Sequence, residues 1–422
     1  MVKLKIIAFV AVFLACLNTY AASDLDSFNA INSLIDQHNY FEAKQIFNSS
    51  KDSLTETHIA YFMIILDNAF NKSEQSDEEA MRFLDNADSG ISRELLFKVY
   101  QIEADNALKV YNYKRAREIT DIIVNDYKTC LDADQLSDHL NSLKIYSALE
   151  NIPPQTVDIH GETIIKMTTD IAGLKNLKVH IGDDSENFIF DTGANISTTI
   201  ESVAKRLNMR IIPAGIEVGS INGNKVLADL AVCPKLTIGD IDVYNSIFIV
   251  FPDKELFFAQ ADYQIYGILG FPIIEAFKEI HITRDGNFIV PKKETEFHNP
   301  SNMALDHLTP LVYFNQKHFT FDTGADATTL YHHYYLENKQ DMDKRYKLQE
   351  LTLGGAGGEE TFDGFLIDYE FDVCGKKIAV KNVQLLKEAI GDESVYGNIG
   401  QDLIQQFDEM ILNFSKMQLS FK

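Results

Sequence analysis

The chain has 422 residues and a formal net charge of −24, from 62 acidic and 38 basic side chains. At about 100–200 residues per domain, this length predicts two to four domains. The composition, 45% hydrophobic and 24% charged, is that of a globular chain and excludes collagen, a low-complexity polymer and a bundle of membrane helices. The acidic excess disfavours nucleic acid as a partner, because a phosphate backbone requires a basic face.

The N-terminus has the pattern of a secretory signal peptide, which we place at residues 1–21. A short basic start is followed by an apolar run over 6–17 and by small residues at Ala21 and Ala22. The run is shorter than the roughly 20 residues that span a bilayer, so no transmembrane span is predicted. Simple cleavage is favoured over lipid attachment at Cys16, which stays open as an alternative. Either way the mature protein is expected to be exported, in the periplasm or secreted.

The remaining cysteines, Cys130, Cys233 and Cys374, allow at most one internal disulfide, and the sequence does not select a pair. No CxxC motif or Cys/His cluster has the spacing of a zinc site. The glycine-rich run at 354–358 lacks the GK[ST] ending of a phosphate-binding loop. We therefore predict neither a metal nor a cofactor.

Residues 24–150 are rich in helix formers, contain no proline and show apolar residues at helical spacing, which predicts an all-α domain. Three similar segments contain Ala43, Ala80 and Ala116, at intervals of 37 and 36 residues. Small residues repeated at this period favour stacked helical hairpins. The pattern resembles tetratricopeptide-like repeats, and the resemblance implies a surface for a protein partner. A non-repetitive helical bundle is the alternative.

Adjacent prolines at 153 and 154 end the helical region, and we assign 151–159 as a linker. The rest of the chain favours strands and divides into two β lobes, 160–300 and 301–422. The division follows a repeat. The motif FDTGA occurs at 190–194 and again at 321–325, and YGILG at 266–270 corresponds to YGNIG at 396–400.

These paired motifs resemble those of the retropepsin-like and pepsin-like aspartic proteases, over about 260 residues. The resemblance implies a mainly-β bilobal acid-protease fold, a retropepsin-like pseudodimer within one chain that we expect to be active as a monomer. It implies catalytic roles for Asp191 and Asp322. The resemblance also assigns supporting roles in the two loops to Thr192, Gly193, Thr323 and Gly324. The second copy departs from the family at Asn398, where an apolar residue is usual.

Two facing carboxyl groups suit the hydrolysis of a peptide or protein substrate, because one can deprotonate water while the other protonates the carbonyl oxygen. Their mutual repulsion favours a pair that shares one proton, so neither Asp191 nor Asp322 is assigned as the base. Ala194 and Ala325 stand where pepsin-like enzymes often carry serine. Without that hydroxyl we expect activity at mildly acidic to near-neutral pH.

Proteases of this type cover the substrate with a glycine-rich hairpin flap. Two segments are candidates, with an ordinary surface hairpin as the less favoured alternative for each: Gly219, Ser220, Asn222 and Gly223 in the first lobe, and Gly354, Gly355, Gly357 and Gly358 in the second.

Two other functions stay open. One is a non-catalytic peptide-binding or scaffold protein with a protease-like fold and a helical interaction domain. The other is a zymogen in which residues 24–150 cover the cleft.

Overall fold

A computed structural model describes residues 24–87, 90–219, 225–259, 261–355, 358–373, 375–390 and 394–422. The predicted signal peptide, Cys16 and Cys374 lie outside the described residues. In the described part of the chain, no helix is both long enough and apolar enough to cross a membrane.

The first part of the chain is helical, as predicted. After a helix over residues 24–36, α1, come α2 (Tyr40–Ser50), α3 (Glu56–Ala69), α4 (Ser73–Asp85), α5 (Arg93–Lys109), α6 (Tyr113–Asp126) and α7 (Ala133–Leu149), with short 3-10 turns at Lys51–Ser53 and Lys128–Cys130.

The same turn joins the two helices of each pair, α1 to α2, α3 to α4 and α5 to α6. His38, Asn71 and Tyr111 each adopt a left-handed backbone conformation, with φ between 54° and 59°, before α2, α4 and α6 respectively. The residue after each of them donates its N–H to the carbonyl five residues earlier, which is the Schellman arrangement that ends a helix sharply. The repeated alanines of α2, α4 and α6 are fully buried: Ala43, Ala80 and Ala116. The helical region is thus consistent with stacked hairpins of the tetratricopeptide-like type.

The rest of the chain is mainly β. The first lobe contains β1 (Thr156–Ile159), β2 (Thr163–Lys166), β3 (Thr168–Thr169), β4 (Lys175–Ile181), β5 (Asp184–Phe190), β6 (Ser197–Ile200), α8 (Glu201–Arg206), β7 (Arg210–Gly219), β8 (Lys225–Ile238), β9 (Ile241–Phe251), a 3-10 turn (Asp253–Leu256), β10 (Phe257–Phe258), β11 (Tyr263–Gln264), β12 (Gly267–Leu269), α9 (Phe271–Glu275), β13 (Glu279–Thr283) and β14 (Asn287–Val290).

The second lobe contains β15 (Met303–Asp306), β16 (Thr309–Phe314), β17 (Lys317–Phe321), β18 (Thr329–Leu330), α10 (His332–Arg345), β19 (Gln349–Gly355), β20 (Gly358–Val373), β21 (Lys376–Leu386), β22 (Gly397–Ile399), α11 (Gln401–Ile404), β23 (Glu409–Asn413) and β24 (Gln418–Phe421).

The expected linker over 151–159 is too long, because its last four residues form β1. This strand pairs antiparallel with β9, from Thr156 opposite Tyr244 to Ile159 opposite Ile241. Its backbone groups are satisfied by the edge of the first-lobe sheet, which a purely local reading of the two prolines does not reveal.

The two lobes share one strand order. In the first lobe, hydrogen-bonded neighbours follow the order β4-β5-β12-β6-β9-β8-β7. In the second lobe they follow the equivalent order β16-β17-β22-β18-β21-β20-β19. In both, the strand that leads into the DTG motif lies parallel to the short strand within the second glycine motif. A separate sheet, β2-β14-β13-β23-β24, joins strands of the two lobes. The sequence repeat therefore corresponds to a repeat of topology.

The helical region packs directly on the β lobes. Its hydrophobic core includes Ala304, Leu311 and Val395 of the second lobe. Polar contacts join the same layers: His38 Nδ1 lies 2.6 Å from Asp306 Oδ2. The second lobe and the helices are therefore held together by apolar packing and by buried or partly buried polar contacts.

Candidate active site

The two DTG loops begin at equivalent strand ends. Asp191 follows β5 and donates its N–H to Leu269 O at 3.1 Å, and Asp322 follows β17 and donates its N–H to Ile399 O at 3.0 Å. Each aspartate is thus fixed by the short strand that lies parallel to its own. The equivalent anchoring places the two aspartates in matching backbone positions of the two lobes.

Threonine side chains bind the two loops to each other. The N–H of Thr192 donates to Thr323 Oγ1 at 3.0 Å, and the N–H of Thr323 donates to Thr192 Oγ1 at 3.1 Å. Each hydroxyl in turn donates across the lobe boundary, to Phe321 O at 2.8 Å and to Phe190 O at 2.9 Å. Both threonines are buried. The crossed bonds fix the relative position of the loops.

The carboxyl groups of Asp191 and Asp322 lie together, each against the glycine of the opposite loop. A Cβ atom placed on Gly193 would lie 2.6 Å from Asp322 Cγ, and one on Gly324 would overlap the Asp191 carboxyl even more closely. Each glycine N–H donates to the Oδ1 atom of its own aspartate at 2.8 Å. Only a residue without a side chain permits this approach.

The electrostatics of the pair favour one bound proton. Burial and then the Asp322 carboxylate raise the pKa of Asp191 well above its usual range, against the opposing effect of the Gly193 and Ala194 N–H groups. Two adjacent, partly buried carboxyl groups resist double ionisation because the second negative charge is placed next to the first. The pair can therefore supply an acid and a base side by side.

The second glycine motifs pack against the DTG loops. Gly270 donates its N–H to Ser197 Oγ at 2.9 Å, and Gly400 donates its N–H to Thr328 Oγ1 at 3.1 Å. A Cβ on Gly270 would lie 2.6 Å from Ala194 O. In each lobe the second glycine motif therefore lies in direct contact with the DTGA loop.

One group at the site has a role that the sequence did not indicate. Asn398 Nδ2 donates to Asp322 Oδ2 at 3.3 Å, and Asn398 Oδ1 accepts the Thr320 hydroxyl at 2.7 Å. The sequence marked Asn398 only as a departure at an apolar position. The available signal was that Thr320 also replaces an apolar residue, since Ile189 is its counterpart in the first copy.

The predicted flap residues that the structure describes lie at the ends of two long hairpins. Gly219 is the last residue of β7, Gly354 and Gly355 end β19, and Gly358 begins β20. Ser220, Asn222, Gly223 and Gly357 lie outside the described residues. Helix α7 contacts the first hairpin, because Asn141 bonds both the N–H and the C=O of Glu217, at 2.9 and 2.8 Å.

A cavity of about 450 Å³ lies where the helical region meets the lobes. Its lining includes Tyr111 and Tyr146 from the helices, Asn195 from the segment after the first DTG loop, Pro272 from α9 and His307 from the second lobe. Asn195 also accepts a hydrogen bond from Thr309 Oγ1 at 3.1 Å. The helical region therefore approaches the segment that follows Asp191.

Comparison with known proteins gives one family match. A family model described as aspartyl protease matches residues 177–273, a segment that contains Asp191 and Gly270. No curated protein matches the chain.

Among solved structures, the basic 7S globulin from soybean is similar with 11% identity and a TM-score of 0.41, over 62% of this chain and 94% of that chain. Conglutin gamma, a basic 7S globulin from lupine seeds, has 10% identity and a TM-score of 0.35, over 62% of this chain and 95% of that chain. The family match is what shows an aspartyl-protease-like segment around Asp191.

Among the described residues, no group of three or more His, Cys, Asp or Glu side chains is placed to hold a metal ion. The side chains gathered at the site are carboxyl, hydroxyl and amide groups, which transfer protons and form hydrogen bonds.

Proposed function

We propose that the protein is an exported aspartic endopeptidase whose two β lobes form one active site within a single chain. The observation that carries the proposal is the contact of each loop glycine with the opposite carboxyl group, which brings Asp191 and Asp322 together. The family match around Asp191 and the shared strand order of the lobes support it. The signal peptide at 1–21 is part of the proposal.

Peptide hydrolysis at this site needs only the two carboxyl groups and one water molecule. A carboxylate takes a proton from water as the oxygen attacks the peptide carbonyl, and the protonated partner gives its proton to the carbonyl oxygen. The tetrahedral intermediate then breaks its C–N bond as the nitrogen is protonated. Thr192 and Thr323 hold the loops, while Gly193 and Gly324 leave room for the carboxyl groups.

The substrate is a peptide or protein segment in extended form, with main-chain hydrogen bonds from the hairpins that carry the flap candidates. Residues 24–150 would recruit a protein partner or the substrate itself, since they adjoin both the first hairpin and the segment after Asp191.

The test is cleavage of a diverse peptide pool between pH 3 and pH 9 by the chain from residue 22 onward. We expect Asp191→Asn and Asp322→Asn each to lower the cleavage rate at least about 100-fold, since each removes one half of the acid–base pair. Asp326→Asn is the matched control, because that carboxyl is exposed in the same loop. Cleavage that survives either Asp191→Asn or Asp322→Asn would refute a site shared by the two carboxyl groups.

A further inference from the structure

The two halves of the site differ at one pair of equivalent positions. In the first lobe, Ile268 of β12 lies opposite Ile189 of β5. In the second lobe, Asn398 of β22 lies opposite Thr320 of β17. Two apolar residues of the first copy are therefore replaced by two polar residues in the second, and both replacements lie beside the strand end that leads into Asp322.

The replacements form a directed chain of hydrogen bonds. The Thr320 hydroxyl donates to Asn398 Oδ1 at 2.7 Å, which turns the amide nitrogen towards Asp322 Oδ2 at 3.3 Å. Asp322 Oδ1 accepts the Gly324 N–H at 2.8 Å. Both oxygens of Asp322 are therefore within reach of an N–H donor.

Asp191 has a different environment. Its Oδ1 atom accepts the Gly193 N–H at 2.8 Å, and the Ala194 N–H also donates a hydrogen bond to its carboxyl group. In the described part of the chain, these donors to Asp191 are backbone groups, and the equivalent of Asn398 is Ile268. A side-chain amide that donates a hydrogen bond stabilises a carboxylate more than a carboxylic acid, because the carboxylate is the stronger acceptor.

We propose that Asn398, oriented by Thr320, is a positioning residue that keeps Asp322 as the carboxylate of the pair, so that the shared proton is held by Asp191. This inference rests on the proposed function and specifies which carboxyl group acts as the base and which as the acid. Asp322 then takes the proton from the attacking water, and Asp191 gives its proton to the carbonyl oxygen. The new C–O bond forms as the carbonyl π bond breaks, which leaves a neutral diol, a protonated Asp322 and an ionised Asp191.

The return of the protons follows from the same arrangement. Asp322 gives its proton to the departing nitrogen as the C–N bond breaks, and Asp191 recovers a proton from a hydroxyl of the diol. The products are a carboxylic acid and an amine, and the pair is restored to its starting state. No oxidant, metal or further reactant enters the balance.

Other titratable groups nearby do not reverse the assignment. Asp326 is exposed in the loop that follows Asp322. Asp402 of α11 accepts hydrogen bonds from the N–H of Thr328 at 2.8 Å and from its hydroxyl at 2.5 Å, which fixes that carboxyl behind the loop. The raised pKa of Asp191, caused by burial and then by the Asp322 carboxylate, agrees with a proton on Asp191.

The test is a carbon-13 NMR titration of the aspartate carboxyl groups in the chain from residue 22 onward, with signals assigned through Asp191→Asn and Asp322→Asn. In the unsubstituted protein we expect Asp322 to ionise at the lower pH. Asn398→Ile, which copies the first lobe, should raise that lower apparent pKa by about one unit. The acidic limb of the pH profile for kcat/KM should move by the same amount.

Two further variants separate this effect from a change in packing. Thr320→Val removes the orienting hydroxyl but leaves Asn398 in place, and we expect a shift in the same direction of about half a unit. If Asn398→Ile does not fold, the pKa shift in Thr320→Val alone tests the inference. Ile268→Val, the control in the first lobe, should leave the lower apparent pKa unchanged.

Ionisation of Asp191 before Asp322 would overturn the inference, as would a lower apparent pKa that stays within 0.2 of its original value in both second-lobe variants. The titration requires no cleavage. A protein that cleaves no peptide yet shows Asp322 ionising first would therefore refute the proposed function and leave the assignment of the proton supported.

Discussion

Replacing Thr323 with valine removes the two contacts that its hydroxyl makes across the lobe boundary. The hydroxyl donates to Phe190 O at 2.9 Å and accepts the Thr192 N–H at 3.0 Å. Valine has nearly the same shape, so packing changes little while a buried donor and a buried acceptor lose their partner. With about 1 kcal/mol for each bond and a further cost for the unpaired N–H, we expect the free energy of unfolding to fall by about 2–4 kcal/mol.

The measurement is equilibrium unfolding in urea followed by circular dichroism and by tyrosine fluorescence, which is convenient because the chain contains 18 tyrosines and no tryptophan. Thr323→Ser is the matched control, since it keeps the hydroxyl and should retain most of the stability. Thr192→Val should cost the same as Thr323→Val, because its hydroxyl makes the mirror-image bonds. A loss below about 1 kcal/mol for Thr323→Val, or an equal loss for Thr323→Ser, would refute this reasoning.

Three other outcomes follow from the site and its surroundings. Gly324→Ala places a methyl group against the Asp191 carboxyl and should lower peptide cleavage at least about 100-fold, whereas Gly161→Ala, which meets open space, should cleave normally. Asp191→Asn should raise the melting temperature at pH 7 and lose this advantage near pH 4. Because the folded-state pKa of Asp191 is raised, the native protein loses stability as pH rises above the unfolded value of about 3.9. The carboxylate of Asp105 raises the pKa of His307, so the stability from this contact is full below about pH 6.5 and is lost as pH rises through the raised value. Thermal unfolding of His307→Asn should therefore show its largest deficit at acidic pH and a shrinking deficit towards pH 9.

The proximity of Asp191 and Asp322 could be predicted from the sequence, because that part of the candidate site is encoded locally. Each DTG motif supplies its own aspartate, threonine and glycine within three residues, and the repeat shows that there are two loops. The role of Asn398 was not predicted, although its departure from the pattern was visible. Its direction towards Asp322 depends on β22 lying beside β17, which brings together residues that are 76 positions apart.

The expectation of activity at mildly acidic to near-neutral pH stays a prediction, and the second lobe contains a hydrogen-bond donor that it did not take into account. Ala325 removes a hydroxyl from the residue after Gly324, but Asn398 supplies a hydrogen-bond donor to Asp322 from another strand. Asp322 thus has a side-chain amide donor from β22, although the residue after Gly324 carries no hydroxyl. Burial and then the Asp322 carboxylate raise the pKa of Asp191, which is a separate effect from the missing hydroxyls.

Contacts between the helical region and the lobes had no local signal in the sequence. His38 meets Asp306 across 268 positions, and Asn141 meets Glu217 across 76. Their residue types are common on protein surfaces, and only the folded chain shows that they are partners. The same reason explains why Thr156–Ile159 was assigned to the linker, since its pairing partner is β9.

These contacts bear on whether the helical region inhibits the proposed protease. Deleting residues 24–150 would expose Ala304 and Leu311, which the helices cover, so altered cleavage by the truncated chain would combine lost stability with uncovering of a cleft. The bonds from Asn141 to the backbone of Glu217 involve a single side chain at the edge strand that leads to Gly219. Substituting Asn141 alone therefore removes these two bonds and leaves the packing on the second lobe in place, while Lys144 still lies 4.0 Å from Glu217 and Lys225 still donates to Ser137 at 3.2 Å.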